Sequence, residues 1–125
     1  MLKLDEFKHK LKLITASVIN IFNADFCRIW IVRRGDLCDG CMHREIAEYQ
    51  HKCEYQDKCL HLLASSGRYT HIDGEVHRRV PLGCYKIGMI AAGQDKKFLT
   101  NDVPNSKRIH NLDWAHELGL QSFAG

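Results

Sequence analysis

Four of the chain's six cysteines fall in one stretch, Asp36 to Leu63. Cys38, Cys41, Cys53 and Cys59 follow the spacing C-x2-C-x11-C-x5-C. Two thiolates three positions apart on a turn can grip one tetrahedral cation, and a second pair downstream can complete its shell. The pattern points to a structural zinc ion held by these four cysteines, a closed site with no open position for catalysis. A four-thiolate iron–sulfur cluster is the rival metal reading. His43, His51 and His61 are close enough in sequence to replace one cysteine ligand. Two readings without metal compete. Cysteine packs well as a small buried hydrophobe, but Cys38 and Cys41 flank the turn pair Asp39-Gly40 among charged residues. Two disulfides would also fit the count, yet no secretory signal precedes them, which favours a reducing compartment. The eleven-residue gap matches none of the common zinc-finger spacings.

The elements on either side must hold this loop. From Leu4 to Phe22, apolar residues stand at Leu4, Phe7, Leu11, Ile14, Val18 and Ile21, in steps of three and four. That is helical period. Asp5 and Glu6 suit the helix start. The stripe fits the domain's own sheet or a partner helix, and the sheet is the expected target. Asn23-Ala24-Asp25 ends the helix as a turn. Phe26 to Arg33 is a strand, with Cys27, Ile29 and Ile31 on one side and Phe26, Arg28, Trp30 and Val32 on the other. Apolar groups on both sides predict a central strand covered on both faces, with Cys27 in the core. Inside the cysteine loop, His43 to Lys52 has the composition of a short helix. Leu60 to Ser66 is the second main strand. A metal bound just before it would tie the end of the first strand to the start of the second.

Gly67 breaks the strand pattern, and Tyr69 to Glu75 reads as extended, turning at Asp73-Gly74. The Arg78-Arg79 pair suits an anion or, more simply, a solvated surface. Cys84 to Ala92 predicts a short helix with Ile87 and Ile90 or Ala91 facing inward and Gly88 allowing close backbone approach. Phe98 to Thr100 is extended, Pro104 to Ser106 is loop, and Asp113 N-caps a helix from Trp114 to Leu118 that Gly119 ends. Leu120 to Gly125 begins another strand.

A chain of 125 residues makes one domain. It holds no apolar run of membrane-spanning length, and its first twenty residues mix charged and apolar groups unlike a signal peptide. Cytoplasm is the expected location, with no membrane partner. A formal net charge of +3 with scattered basic residues is too weak for a nucleic-acid partner.

The run RRVPLGCYKIGMIAAGQDKKFLTNDVPNSKRIHNLDWAHELGLQSFAG, from Arg78, resembles the GAF domain. The carrying features are a short helix after PLG, NDV after a short strand, and the WA-E-GL-SFAG approach to a late strand. The N-terminal helix leading into FCRIWIVR also looks like the family's first helix and strand. CLHLLASSGRYTHIDG is similar to the second strand of GAF domains in sensor kinases and transcriptional regulators, some of which carry a cysteine-containing insert before it. The resemblance implies an α/β (α+β) fold: an antiparallel sheet with helices on both faces, here with a cysteine-rich insertion between the first two strands. It implies one GAF-like domain over 1–125, without the family's last strands and C-terminal helix.

Family members are regulatory input modules of two-component and related signal transduction. They bind cyclic nucleotides, tetrapyrroles, haem, metals or small metabolites, or only dimerise. By the resemblance, a ligand pocket here involves Tyr69, Val80, Tyr85, Ile87 and Ile90, with Asn101, Asp102 and Trp114 near its wall. The implied partners are a small-molecule ligand, a fused or downstream kinase or regulator output domain, and a second copy in a homodimer. Zinc, from the cysteine spacing, is the expected cofactor, with an iron–sulfur cluster and haem left open.

The expected function is therefore a non-enzymatic sensory input domain, for a small ligand or redox state, with a structural metal site. Two other classes remain. One is a thiol-dependent enzyme on the same fold, similar to methionine sulfoxide reductase, in which Cys84 would act with a partner thiol. The other is a zinc-binding protein-interaction module. No glycine-rich phosphate loop or metalloprotease motif is present.

Overall fold

A computed structural model describes residues 3–35, 45–46, 51–52, 58–68, 79–106 and 112–125; at 45–46, 51–52, 112 and 114 the backbone alone is described. Helix α1 spans Leu4–Phe22, the range its apolar periodicity predicts. Asn23 closes it at φ 50, the left-handed conformation asparagine tolerates at a helix end, and its N–H returns to the Ile19 carbonyl. Strand β1 follows at Phe26–Arg34. Two short strands, β2 (Glu45–Ile46) and β3 (His51–Lys52), then precede the long β4 (Lys58–Gly67). After β5 (Arg79–Pro81) come α2 (Tyr85–Ala91), β6 (Leu99–Thr100) and a 3-10 turn at Val103–Asn105. Helix α3 (Leu112–Leu118) and β7 (Phe123–Ala124) complete an α+β chain.

The main sheet is antiparallel, in the order β1-β4-β5. β1, expected at the centre, lies at the edge among the described residues, and β4 is central. The two-sided apolar composition of β1 bears on its two faces, whose residues are half-buried from Phe26 to Ile31 and exposed beyond. It carries no information about the backbone edge, which is where the expectation failed.

On one face Leu11 of α1 packs with Leu63 and Ala64, joined by Ile29 and Ile31. On the other, Leu60, Val80 and Leu82 are buried with Trp30 and α2. Helices thus cover both faces. The register shifts between Ile29, opposite Ala64, and Trp30, opposite Leu62, so Leu63 has no counterpart on β1. This bulge turns two successive residues, Leu63 and Ala64, toward α1 and explains why β4 is buried without a break from Leu60 to Ser66.

At the far end of β4 the strand turns polar, and α1 answers it. Thr15, with no exposed surface, shares a 2.7 Å hydrogen bond with Ser66 Oγ and donates to the Lys12 carbonyl at 2.9 Å. Lys12 Nζ donates to the Ser65 carbonyl. Gly67 lies against the start of β1 so closely that a Cβ there would meet the Asp25 carbonyl oxygen at 2.2 Å. Asp25 also accepts from Arg68 at 3.1 Å.

A third cluster, Val103, Ala115 and Leu120 with Phe26 and Phe123, joins α3 to the beginning of β1. Two differences from the sequence expectation are local. Residues 103–105 form a 3-10 turn where plain loop was expected, and α3 starts at Leu112, which places Asp113 in the first turn, where its charge suits the dipole, instead of at the cap.

Candidate functional site

An open groove of about 1390 Å³ lies on the sheet face that α2 covers and reaches round the start of β1 to Val18 and Phe22 of α1. Its floor is Trp30 of β1, Leu60 of β4 and Val80 of β5; α2 forms one wall through Tyr85, Ile87 and Ile90. Thr100, Asn101 and Phe123 of the β6–β7 region form another. The lining is mainly apolar with a few polar groups, the usual make-up of a small-molecule site, although the volume exceeds the usual range of about 300–1,000 Å³.

α2 holds its position through Gly88. A Cβ there would stand 2.3 Å from the Pro81 carbonyl oxygen, so only glycine lets the helix lie on the end of β5. Gly83 N–H donates to the Gly88 carbonyl at 2.8 Å and fastens the turn before the helix. The sequence expectation of close approach at Gly88, with Ile87 and Ile90 or Ala91 facing inward, matches this arrangement: Ile87 and Ala91 pack on the Leu60–Val80–Leu82 cluster, and Ile90 lines the groove. The first residue of α2, Tyr85, has φ 56. An aromatic residue in the left-handed region is strained by roughly 1–3 kcal/mol, and such positions persist where surrounding packing over-determines them, often at ligand sites.

Of the eight residues chosen from sequence as pocket residues, Val80, Tyr85, Ile87, Ile90 and Asn101 line this one groove. Asn101 Oδ1 accepts from Ser122 Oγ at 3.0 Å, which fixes its amide at the rim. Asp102 is not in the lining. Its carboxylate accepts from Asn105 Nδ2 at 3.1 Å to each oxygen and braces the 3-10 turn. Trp114 belongs to α3, but its side chain lies outside the described residues, as does Tyr69 altogether.

Sequence reasoning missed Trp30, Leu60 and Cys27 as lining residues. Trp30 had a usable signal, a large aromatic on the face of β1 opposite Ile29 and Ile31. Cys27, expected in the core, is half-buried at the groove, and burial pushes its thiol above the ordinary value. Cys84 has no exposed surface. Lys86, also in the lining, is held between Asp95 at 3.5 Å and the Phe98 ring at 4.2 Å.

The second candidate site is the cysteine loop. Arg34 is in register with Lys58, so the intervening residues close a long β1–β4 hairpin. Inside it, β2 and β3 pair antiparallel, Glu45 opposite Lys52 and Ile46 opposite His51. The helix expected from His43 to Lys52 is therefore replaced by a small hairpin; helical propensity in ten residues is too weak to outweigh strand pairing. Of the four expected ligands, Cys38, Cys41 and Cys53 lie outside the described residues, as does the alternative ligand His43.

Cys59 stands at the root of the hairpin, flanked by Arg33 of β1 and Pro81 of β5. Two residues on, buried His61 has Nε2 2.9 Å from the Arg34 carbonyl oxygen. A carbonyl only accepts, so Nε2 bears a proton. Among the described residues no group of three or more His, Cys, Asp or Glu side chains is placed to hold a metal. None of the described helices is long and apolar enough to cross a membrane.

No family model, characterised protein or solved structure matches this chain. What the chain does must therefore be inferred from the groove and the root of the cysteine hairpin themselves.

Proposed function

We propose that the chain is a GAF-like regulatory input domain that binds a small, largely apolar molecule in the groove and passes its occupancy to a kinase or regulator output domain. The observation that supports this reading is convergence. Val80, Tyr85, Ile87, Ile90 and Asn101, spread over β5, α2 and the bend after β6, line one cavity. The strained Tyr85 at the mouth of α2 fits the same reading. Cys84 presents no surface to a substrate, which favours binding over thiol chemistry at that residue. In the same proposal Cys38, Cys41, Cys53 and Cys59 hold one structural zinc ion at the base of the β1–β4 hairpin. His61 is a substitute ligand beside Cys59, its Nε2–H held on the Arg34 carbonyl.

Thermal-shift screening with haem, nucleotides and small metabolites tests the groove. A ligand present at about one hundred times its Kd stabilises the fold by about 2.7 kcal/mol. Ile90→Lys puts a charge on the groove wall and should abolish that shift. A panel with no binder, or a binder indifferent to Ile90→Lys and Tyr85→Ala alike, overturns the reading.

A further inference from the structure

Strand alternation sets Phe26, Arg28 and Trp30 on one face of β1, the face opposite Ile29 and Ile31. Phe26 packs against the cluster of Val103, Ala115 and Leu120, and Trp30 against that of Leu60, Val80 and Leu82. Arg28 therefore stands between two apolar clusters, about 7 Å along the strand from each aromatic. All three residues line the groove. Arg28 is half-buried, and its guanidinium lies 5.1 Å from the centre of the Phe26 ring. A guanidinium does not give up its proton, so a full charge with part of its hydration removed sits in the middle of a mainly apolar cavity.

The charge balance of the groove then selects what enters it. Among the described residues of the lining, the charged side chains are Arg28 and Lys86 against Asp25 alone. Asp95 holds Lys86 at 3.5 Å, and Arg68 holds Asp25 at 3.1 Å. Those two partners add one charge of each sign, so an excess of one positive charge remains. One excess positive charge over an apolar floor suits a monoanion with an apolar body. The planar fork of a guanidinium offers a carboxylate two parallel N–H donors. Inorganic phosphate and nucleotides carry more charge and match neither the single excess cation nor the apolar floor.

We propose that the groove takes an organic monocarboxylate, its carboxylate held by Arg28 and its apolar body laid over Trp30 toward Val80 and Ile87. This assignment rests on the reading of the groove as a small-molecule site and names the class of molecule.

Calorimetric titration with phenylacetate, 4-phenylbutyrate and decanoate, each beside its primary amide, separates the charge from the body. At least one acid should bind about tenfold or more tightly than its own amide, the mark of a charge-assisted contact. Raising the ionic strength should weaken that acid and leave the amide unchanged. Arg28→Gln, similar in length and uncharged, should abolish the preference for the acid while amide binding persists, which also shows that the variant is folded. If Arg28→Gln does not fold, Arg28→Lys keeps the charge without the fork and should still weaken the acid more than the amide. Acids and amides that bind alike, or an acid preference that survives Arg28→Gln, overturn the carboxylate assignment and leave the groove reading standing. Displacement of the bound acid by inorganic phosphate overturns it as well. If none of these compounds binds, the assignment falls, and the broader thermal-shift panel decides the groove reading separately.

Discussion

Gly88→Ala tests the placement of α2, and with it the groove wall, through the sign of its effect. In an ordinary helix interior the change is favourable by about 1 kcal/mol, since glycine gives up more backbone freedom on folding. Here the added methyl would lie 2.3 Å from the Pro81 carbonyl oxygen, with the Pro81 carbonyl carbon at 3.5 Å and the Gly83 nitrogen at 3.4 Å. All three are backbone atoms, so no side chain can swing away. The helix must lift from β5 or the Gly83–Gly88 hydrogen bond must stretch. Overpacking of this kind costs about 1–3 kcal/mol, and the propensity gain offsets only part of it. The net expectation is a loss of about 1–2 kcal/mol, or a melting temperature lower by roughly 4–8 °C for a domain of this size. Because Ile87 and Ile90 move with the helix, ligand affinity should fall as well. The assay is urea unfolding followed by Trp fluorescence, with Gly93→Ala as a second variant whose Cβ would meet nothing within 4 Å but would sit at φ 79. A Gly88→Ala protein as stable as the parent, or more so, would falsify the packing of α2 on β5.

Three further outcomes follow from the same structure. Thr15→Val keeps the shape of the side chain but leaves the Ser66 hydroxyl without its 2.7 Å partner, and should cost about 1–3 kcal/mol in denaturant unfolding; adding Ser66→Ala should recover much of that loss. Burial raises the Cys27 thiol above its unfolded value of 9.0, so its contribution to stability is complete below that pH and is lost as pH rises toward the folded value. Comparing the parent with Cys27→Ala between pH 8 and pH 10 should show the parent weakening more steeply; parallel curves would remove the effect. Protein purified without oxygen should hold one zinc per chain and lose it in Cys41→Ser and Cys59→Ser, with the main sheet intact by circular dichroism; iron with labile sulfide would assign a cluster instead, and metal-free protein would exclude both.

The long elements were legible because their signals are local. The bounds of α1 follow from nineteen residues of steady period and a left-handed Asn23, and β4 from an apolar run bounded by Gly67. Gly88 and the inward isoleucines of α2 were legible because a glycine amid apolar residues in a short helix removes a Cβ where another backbone must come close. What the sequence could not show depends on chain neighbours far away in number. Nothing in FCRIWIVR distinguishes an edge from a centre, since side chains report on faces and the backbone edge has none. Nor could any local rule place the short β2–β3 pair, whose four residues are fixed by pairing with one another. The convergence of Trp30 and Leu60 with the residues of α2 needed the antiparallel register itself.

The instructive case is α1, where the periodicity was right and the direction was not. Six apolar residues at helical spacing implied one buried face, yet the sheet binds a face rotated from it, through Leu11, Thr15 and the Lys12 amine. The cause lies in β4. Its bulge at Leu63 supplies apolar contact over a short length, and beyond it Ser65 and Ser66 present polar groups that are themselves buried. An all-apolar helix face laid over those serines would take away the partners α1 gives the Ser66 hydroxyl and the Ser65 carbonyl, at about 1–3 kcal/mol each. Rotating α1 to bring Thr15 and Lys12 over them satisfies both and carries Phe7, Ile14 and Ile21 out to the side. Polar matching at one end of the sheet thus decides which residues of the helix are left exposed. If so, Ser66→Val, which removes the hydroxyl that Thr15 answers, should permit α1 to turn its apolar stripe inward, with exposed Ile14 becoming protected from solvent.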